Sequence, residues 1–283
     1  MKNLLVIIGV IALVAGSAGK SLQAQIINGA YQRQDIFQRK PLALPNVREA
    51  DVFWSKKIWR IIDVREKINQ PLYFPTKEMD GRINLISLLL QGIESGQITA
   101  YDARNDDDFK LPITYSEVKE RFGAKDQTVQ VQDFDTGEMV ERTMPGEIRI
   151  NEVKQYMLKE EWYFNKNNST LNVRIIGICP IQLFVREDDP SGQIQRRQVF
   201  WVYYPEVREL LATNEVFNPH NDARKMSFDD LFIKRYFNSY IVKESNRFDS
   251  RGIFQYLQGK QAMLESKRIE KKIFNFEQDL WEY

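Results

Sequence analysis

The chain has 283 residues, 43% hydrophobic, 28% charged and 12% aromatic, a composition that can bury a core as one large or two smaller domains. Forty basic and 39 acidic residues give a formal charge of +1, which argues against a nucleic-acid binder with a clustered basic excess. One cysteine, Cys179, and one histidine, His220, exclude an intramolecular disulfide, multi-cysteine metal sites and paired-histidine sites.

Met1-Lys2-Asn3 is a short positive start, followed by an apolar run from Leu4 to Ala15 and then small and polar residues. This pattern predicts a secretory signal peptide over residues 1–24, cleaved after Ala24 to leave Gln25 as the mature N-terminus. The run is shorter than the ~20 residues of a membrane-spanning helix, and no other stretch is long and apolar enough for one. No cysteine lies near the cleavage site, so no acyl anchor of the protein's own is expected. Cleavage removes Lys2 and Lys20 and no acid, leaving 38 bases against 39 acids and a net charge of −1. The mature protein is expected to be soluble in an envelope space or secreted, and stabilised by its core or its partners rather than by disulfides.

Residues 25–46 hold Pro41 and Pro45 and no sustained periodicity, which predicts an extended N-terminal arm. A core domain over 47–250 and a helical C-terminal tail over 251–283 are expected to follow. Asn46 and Glu49 have the spacing of a capping box. Trp54, Ile58, Ile61 and Ile68, widened by Val52, Trp59 and Ile62, then predict an amphipathic helix ending near Asn69, ahead of Pro71. Gln70 to Pro75 reads as an extended aromatic segment. A second helix is predicted from Arg82 to Glu94 with Gly96 as its stop, and a short one over Ser116–Phe122 with Ser116 as its cap.

Residues 128–142 predict a polar hairpin turning at Asp135-Thr136-Gly137, with one face solvated or covered by a partner. Residues 152–164 read as a helix through Val153, Tyr156, Met157, Trp162 and Phe164. The period changes to two at Leu171, Val173 and Ile175. That strand runs toward Phe184, turns at Asp188–Gly192 and returns over Val199–Tyr204, the most apolar hairpin and the expected centre of the sheet. Pro205 opens a helix over 205–213. Ser227 caps another, whose Phe228, Leu231, Phe232, Tyr236, Phe237 and Tyr240 make an aromatic stripe. Ile253 to Tyr283 reads as helical with a charged middle. Antiparallel hairpins with packed amphipathic helices, an extended arm and a helical tail make the fold class α+β.

Candidate chemistry is sparse. His220 lies in the loop Asn218-Pro219-His220-Asn221-Asp222, where a general base or metal ligand is conceivable and a solvated or capping histidine is the simpler reading. Cys179, inside the apolar stretch Ile176–Ile181, reads as a core residue rather than a reactive thiolate. Asp106-Asp107-Asp108 lacks the alternating spacing of a calcium loop and reads as a solvated acidic loop. No phosphate loop, nucleophile elbow or paired-carboxylate signature is present, so no catalytic, cofactor-binding or metal residue is assigned. The positive signal is aromatic: Tyr73-Phe74, the stretch from Phe232 to Tyr240, and Phe274, Phe276, Trp281 and Tyr283. Such residues form cores or interface centres, and for the terminal tail an interface is expected.

Several stretches resemble the gliding-motility protein N family, GldN, whose relative in non-gliding species is PorN. They are Asp51-Val52-Phe53-Trp54-Ser55-Lys56-Lys57-Ile58-Trp59-Arg60-Ile61-Ile62-Asp63 running on to Pro71-Leu72-Tyr73, Glu161-Trp162-Tyr163-Phe164, Asn172 to Ile178, Val216 to Asp222, and Met226 to Phe232. The resemblance implies a structural, non-enzymatic component of the type IX secretion and gliding machinery. It implies a place in the periplasm at the inner face of the outer membrane, self-association in a ring, a GldK/PorK-like lipoprotein partner and contact with the periplasmic part of a GldM/PorM-like motor. It carries no catalytic residues. The contrasting reading is a periplasmic enzyme or ligand-binding protein that uses an unmarked acidic or aromatic cleft.

Overall fold

In the computed structural model the stretch Val52–Asp63 is a strand, β1, and not the predicted helix. The structure describes residues 39–280 except 80, 105–106, 125–126, 133–138, 145, 147, 186–191, 219–224 and 249. The predicted signal peptide, His220, Asp106, Trp281, Tyr283 and the two hairpin turns at 135–137 and 188–191 lie outside the described residues. The first half of β1 alternates between half-buried and exposed residues, whereas Ile58 to Asp63 are buried without a break. A strand covered on both faces loses its period of two and presents a continuous apolar run, which periodicity alone cannot tell from a buried helix. Asn46 and Glu49 form no capping box; Glu49–Asp51 is a single 3-10 turn.

The remaining elements follow in chain order. After a 3-10 turn at Lys67–Leu72 comes α1 (Leu85–Glu94), which Asn84 caps by accepting from the Ser87 N–H at 2.8 Å. It ends ahead of Gly96, whose φ of +72° suits the left-handed stop. Two short strands, β2 (Ala100–Asp102) and β3 (Pro112–Ile113), lead to α2 (Tyr115–Arg121). There the capping box is Thr114 with Glu117, so the cap lies two residues before the predicted Ser116. Strands β4 (Gln127–Gln132) and β5 (Met139–Met144) pair only with each other, as the predicted polar hairpin.

A second correction follows at β6 (Val153–Asn165), a strand where a helix was expected. Its pairing with β7 (Thr170–Val185) shifts register between Val153 and Gln155 and again between Lys159 and Glu160. The first shift leaves Lys154 as an extra residue of β6 and moves its inward phase by one; the second places the extra residue, Ile176, on β7. Lys159 and Glu160 are themselves buried, so both alternation and polarity are disturbed. The predicted return strand is β9 (Phe200–Tyr203), and a further strand that the sequence reading did not mark, β8 (Ile194–Gln198), precedes it. Helix α3 (Tyr204–Thr213) has Pro205 in its first turn as expected. Strands β10 (Glu215–Val216) and β11 (Met226–Ser227) then pair with each other.

Ser227 caps α4 (Phe228–Ile233) through a capping box with Asp230. This helix is shorter than the aromatic stripe suggested: it stops at Lys234, Arg235 turns left-handed at φ +55°, and Tyr240 opens strand β12 (Tyr240–Glu244). A 3-10 turn at Ile253–Gln255 and the long helix α5 (Gly259–Asp279) complete the chain.

Eight of these strands form one antiparallel sheet in the order β12-β1-β6-β7-β9-β2-β3, with β8 also on β7. The fold is therefore α+β, with β7 at the middle of the sheet between β6 and β9. One face carries Ile62, Tyr156, Leu158, Ile178, Phe200 and Val202, which meet Leu85, Leu88 and Leu89 of α1, Val207 and Leu211 of α3, and Phe228 and Phe232 of α4. Each of these leucines is essentially inaccessible and contributes about 2 kcal/mol of burial. Farther along the sheet, α5 packs Ala262, Ile269 and Ile273 on Ile58 and Ile241, with Trp162 at the margin.

Polar ties reinforce this layer. Glu160, wholly buried, accepts from Arg235 at 2.8 Å and from the Trp162 indole at 3.0 Å, and lies 3.4 Å from Arg60. Arg60 in turn reaches Glu270 of α5 at 3.4 Å. The arm is held by three arginine contacts: Arg39 to Asp230 at 3.3 Å, Arg208 to the Leu42 carbonyl at 2.6 Å, and Arg174 to the Pro45 carbonyl at 2.7 Å.

Candidate functional site

The other face of the sheet carries a groove rather than a layer of helices. The register places Lys243 opposite Trp59, Trp59 opposite Lys159, Lys159 opposite Gly177, and Gly177 opposite Tyr203. These residues share one row across β12, β1, β6, β7 and β9, because directly paired residues project to the same side. Two register shifts fall on this row, after Trp59 against β12 and after Lys159 against β7. Bulges of this kind re-aim side chains and concentrate beside functional sites. The next row holds Ile61, Met157, Cys179 and Trp201, which pack as a second, smaller core.

Over this row lies the segment Asp107-Asp108-Phe109. The Lys159 ammonium is only 4% exposed and donates to the Asp107 carbonyl at 2.6 Å, to Asp107 Oδ1 at 3.3 Å and to Asp108 Oδ1 at 3.1 Å. Lys243 lies 4.1 Å from the Trp59 ring centre and 3.3 Å from Asp107 Oδ2. Phe109 packs edge-on against Tyr101, Trp201 and Tyr203 at 5.6–5.8 Å. It does so from the left-handed region, at φ +57°, which a bulky residue rarely adopts. Gly177 makes the approach possible, since a Cβ there would collide with the Phe109 ring. Beyond this segment a groove of about 1040 Å³ stays open between Ser55, Lys57, Glu161, Gln198, Ser245 and Gln255.

Lys110 and then Lys159 hold the Asp108 carboxyl below its ordinary range by hydrogen bonding, against the upward push of burial. Trp59 and Trp201 both line the groove, and among the described residues their buried indole N–H groups meet no acceptor. Two buried donors left this way are uncommon in a settled core.

The residues singled out from sequence are not brought together. Cys179 is fully buried beneath the second face, and desolvation pushes its thiol far above its usual value, as suits a core residue. Asp107 and Asp108 are ion-paired to the buried Lys159, Asp107 half-buried and Asp108 still exposed to solvent. Among the described residues no group of three or more His, Cys, Asp or Glu side chains could hold a metal ion. Tyr73 packs on the main core and its hydroxyl accepts from Lys154 at 2.6 Å, while Phe74 is half exposed. Of the tail aromatics, Phe276 packs on Trp54 at 4.7 Å and Phe274 is exposed. Trp59, Lys159, Lys243 and Trp201 were not anticipated as a site. Their one sequence signal is lysine set among tryptophans and isoleucines within stretches too apolar to be surface.

Among the described residues no helix is long and apolar enough to cross a membrane. Comparison with curated proteins finds no match. The family model described as gliding motility associated protein GldN matches residues 47–282, from the 3-10 turn before β1 through the end of α5 and most of the chain. The chain belongs to the GldN family of gliding-motility-associated proteins.

Proposed function

We propose that the protein is a non-enzymatic structural subunit of the gliding-motility machinery and of the type IX secretion apparatus associated with it. In this reading it works in the periplasm after loss of residues 1–24, and self-associates into a ring at the inner face of the outer membrane. A lipid-anchored GldK/PorK-like partner holds it, and it meets the periplasmic part of a GldM/PorM-like motor. The family match over residues 47–282 carries the reading. Two surface features support it. Phe248, Phe254, Met263, Leu264 and Phe274 stand at least half exposed along the C-terminal quarter, the chemistry of interface centres. The second sheet face is a broad polar groove with paired charges. The contrasting enzymatic reading asks for a carboxyl held protonated by its surroundings; the lysines beside Asp108 do the opposite. Crosslinking and mass spectrometry on intact envelopes tests the proposal. Crosslinks to a lipoprotein and to a motor protein are expected; recovery as a free monomer with no crosslinked partner would refute it.

A further inference from the structure

The second sheet face holds a buried cation whose acceptors all come from a segment about fifty residues earlier in the chain. A lysine on a central strand with a 4% exposed side chain is costly unless it is paired, so the row demands carboxylate and carbonyl acceptors. Asp107-Asp108-Phe109 supplies them, but under strain: Phe109 sits in a left-handed conformation, and its ring fits only because position 177 is glycine. Such strain concentrates at ligand clamps and switch segments. The segment also leaves the site partly unserved. Among the described residues the indole N–H groups of Trp59 and Trp201 find no acceptor, and the groove continues past the segment to Lys57, which is exposed and forms no ion pair there.

We propose that this row is a docking site for an extended segment of a partner protein bearing two adjacent carboxylates followed by an aromatic residue, and that Asp107-Asp108-Phe109 occupies it until that segment displaces it. The chemistry of the occupant is read from the site itself. With the segment withdrawn, Lys57, Lys159 and Lys243 face one carboxylate, Glu161, so the groove is net cationic. The notch over Gly177, walled by Tyr101, Trp201 and Tyr203, takes an aromatic ring. An extended backbone would bring carbonyl acceptors to the two indoles. This inference deepens the assembly reading above by naming a site and the chemistry of its partner.

Fluorescence anisotropy with the full mature protein tests it. The probe is a fluorescein-labelled peptide, Asp-Asp-Phe-Lys-Leu, the sequence of residues 107–111, and its control has both aspartates replaced by asparagine. Two variants release the segment by independent means: Asp107→Asn with Asp108→Asn removes its charges, and Phe109→Ala removes the ring that fills the notch over Gly177 and leaves the notch open. Each released protein, checked for native circular dichroism, is expected to bind the acidic peptide at least tenfold tighter than the wild type does, and at least tenfold tighter than it binds the amide control. Adding Lys57→Gln and Lys243→Gln should abolish that gain. Folded released variants that bind no tighter than wild type, or that bind both peptides alike, would overturn the proposal. So would failure of both variants to fold, because a segment the fold cannot lose is not a displaceable occupant. Partners crosslinked in envelopes alongside a groove that binds nothing would sink this inference alone; a binding groove in a protein without partners would sink the assembly reading alone.

Discussion

Glu160 shows what a single buried charge does in this fold. It has no exposed surface and balances Arg60 and Arg235, both drawn from other elements. Desolvation lowers the Arg60 pKa, and Glu160 is the largest influence opposing that fall. Glu160→Gln keeps the shape and the Trp162 bond but leaves two arginines without their shared anion. A loss of about 3 kcal/mol is expected, read as a lower urea midpoint at unchanged slope. Asp63 makes a pH-dependent contribution instead. Burial pushes its carboxyl up, yet bonds from the Arg65 side chain and backbone and from Gln155 outweigh that and lower it from 3.8 to about 2. A depressed folded pKa stabilises above the unfolded value and is lost on acidification, so the contribution of Asp63 should fade between about pH 4 and pH 2. The melting-temperature gap between wild type and Asp63→Asn should therefore be widest above pH 4 and close as the pH falls to 2. A constant gap across that range would count against the hydrogen bonding described.

Among the elements, those whose two sides differ were legible and those buried on both sides were not. Helix α1 announced itself through Ile86, Leu89, Leu90 and Ile93 and its stop at Gly96, and β7 through the alternation that begins at Leu171. Pro205 and Ser227 marked the starts of α3 and α4 because each serves a helix N-terminus directly. Strands β1 and β6 failed for a physical reason: Ile58 and Ile62 face α5 and the main core while Trp59 and Ile61 face the groove, so apolar residues fall together as they do on a helix. The groove was illegible with them, since a row spread over five strands leaves no local pattern in the sequence. The tail's role also differs from its appearance. Truncation after Gln258 removes Ala262, Ile269, Ile273 and the Glu270 contact to Arg60, exposing Ile58 and Ile241. At about 2 kcal/mol for each of the two isoleucines left exposed and 2–4 °C per kcal/mol, the melting temperature should drop by roughly 10 °C. Deleting the β4–β5 hairpin, which pairs with no other strand, should change it by less than about 3 °C by the same conversion. A truncation that leaves the melting temperature unchanged would show α5 to be a mere appendage.

At the scale of the molecule, the two sheet faces divide the work. One is sealed by α1, α3, α4 and α5, and its residues account for most of the core. The other holds a smaller cluster under a charged groove, and half of the exposed large apolar side chains among the described residues fall in the C-terminal quarter. The arm, tied to α4 through Arg39 and to α3 through Arg208, brings the N-terminal end of the described chain against the sealed side.

The central hairpin bears on any role in a moving machine. Strand β7 has 16 residues, about 50 Å of extended chain, and is paired antiparallel with β6 from Thr170 to Gln182. A pull along the strand axis at opposite ends of this pair does not peel its hydrogen bonds apart one after another. It runs through covalent backbone by way of the short turn at 166–169, so the pair resists as a stiff strut along that axis. The pair gives way far more readily when its Val153 and Val185 ends, which leave from the same side, are drawn apart.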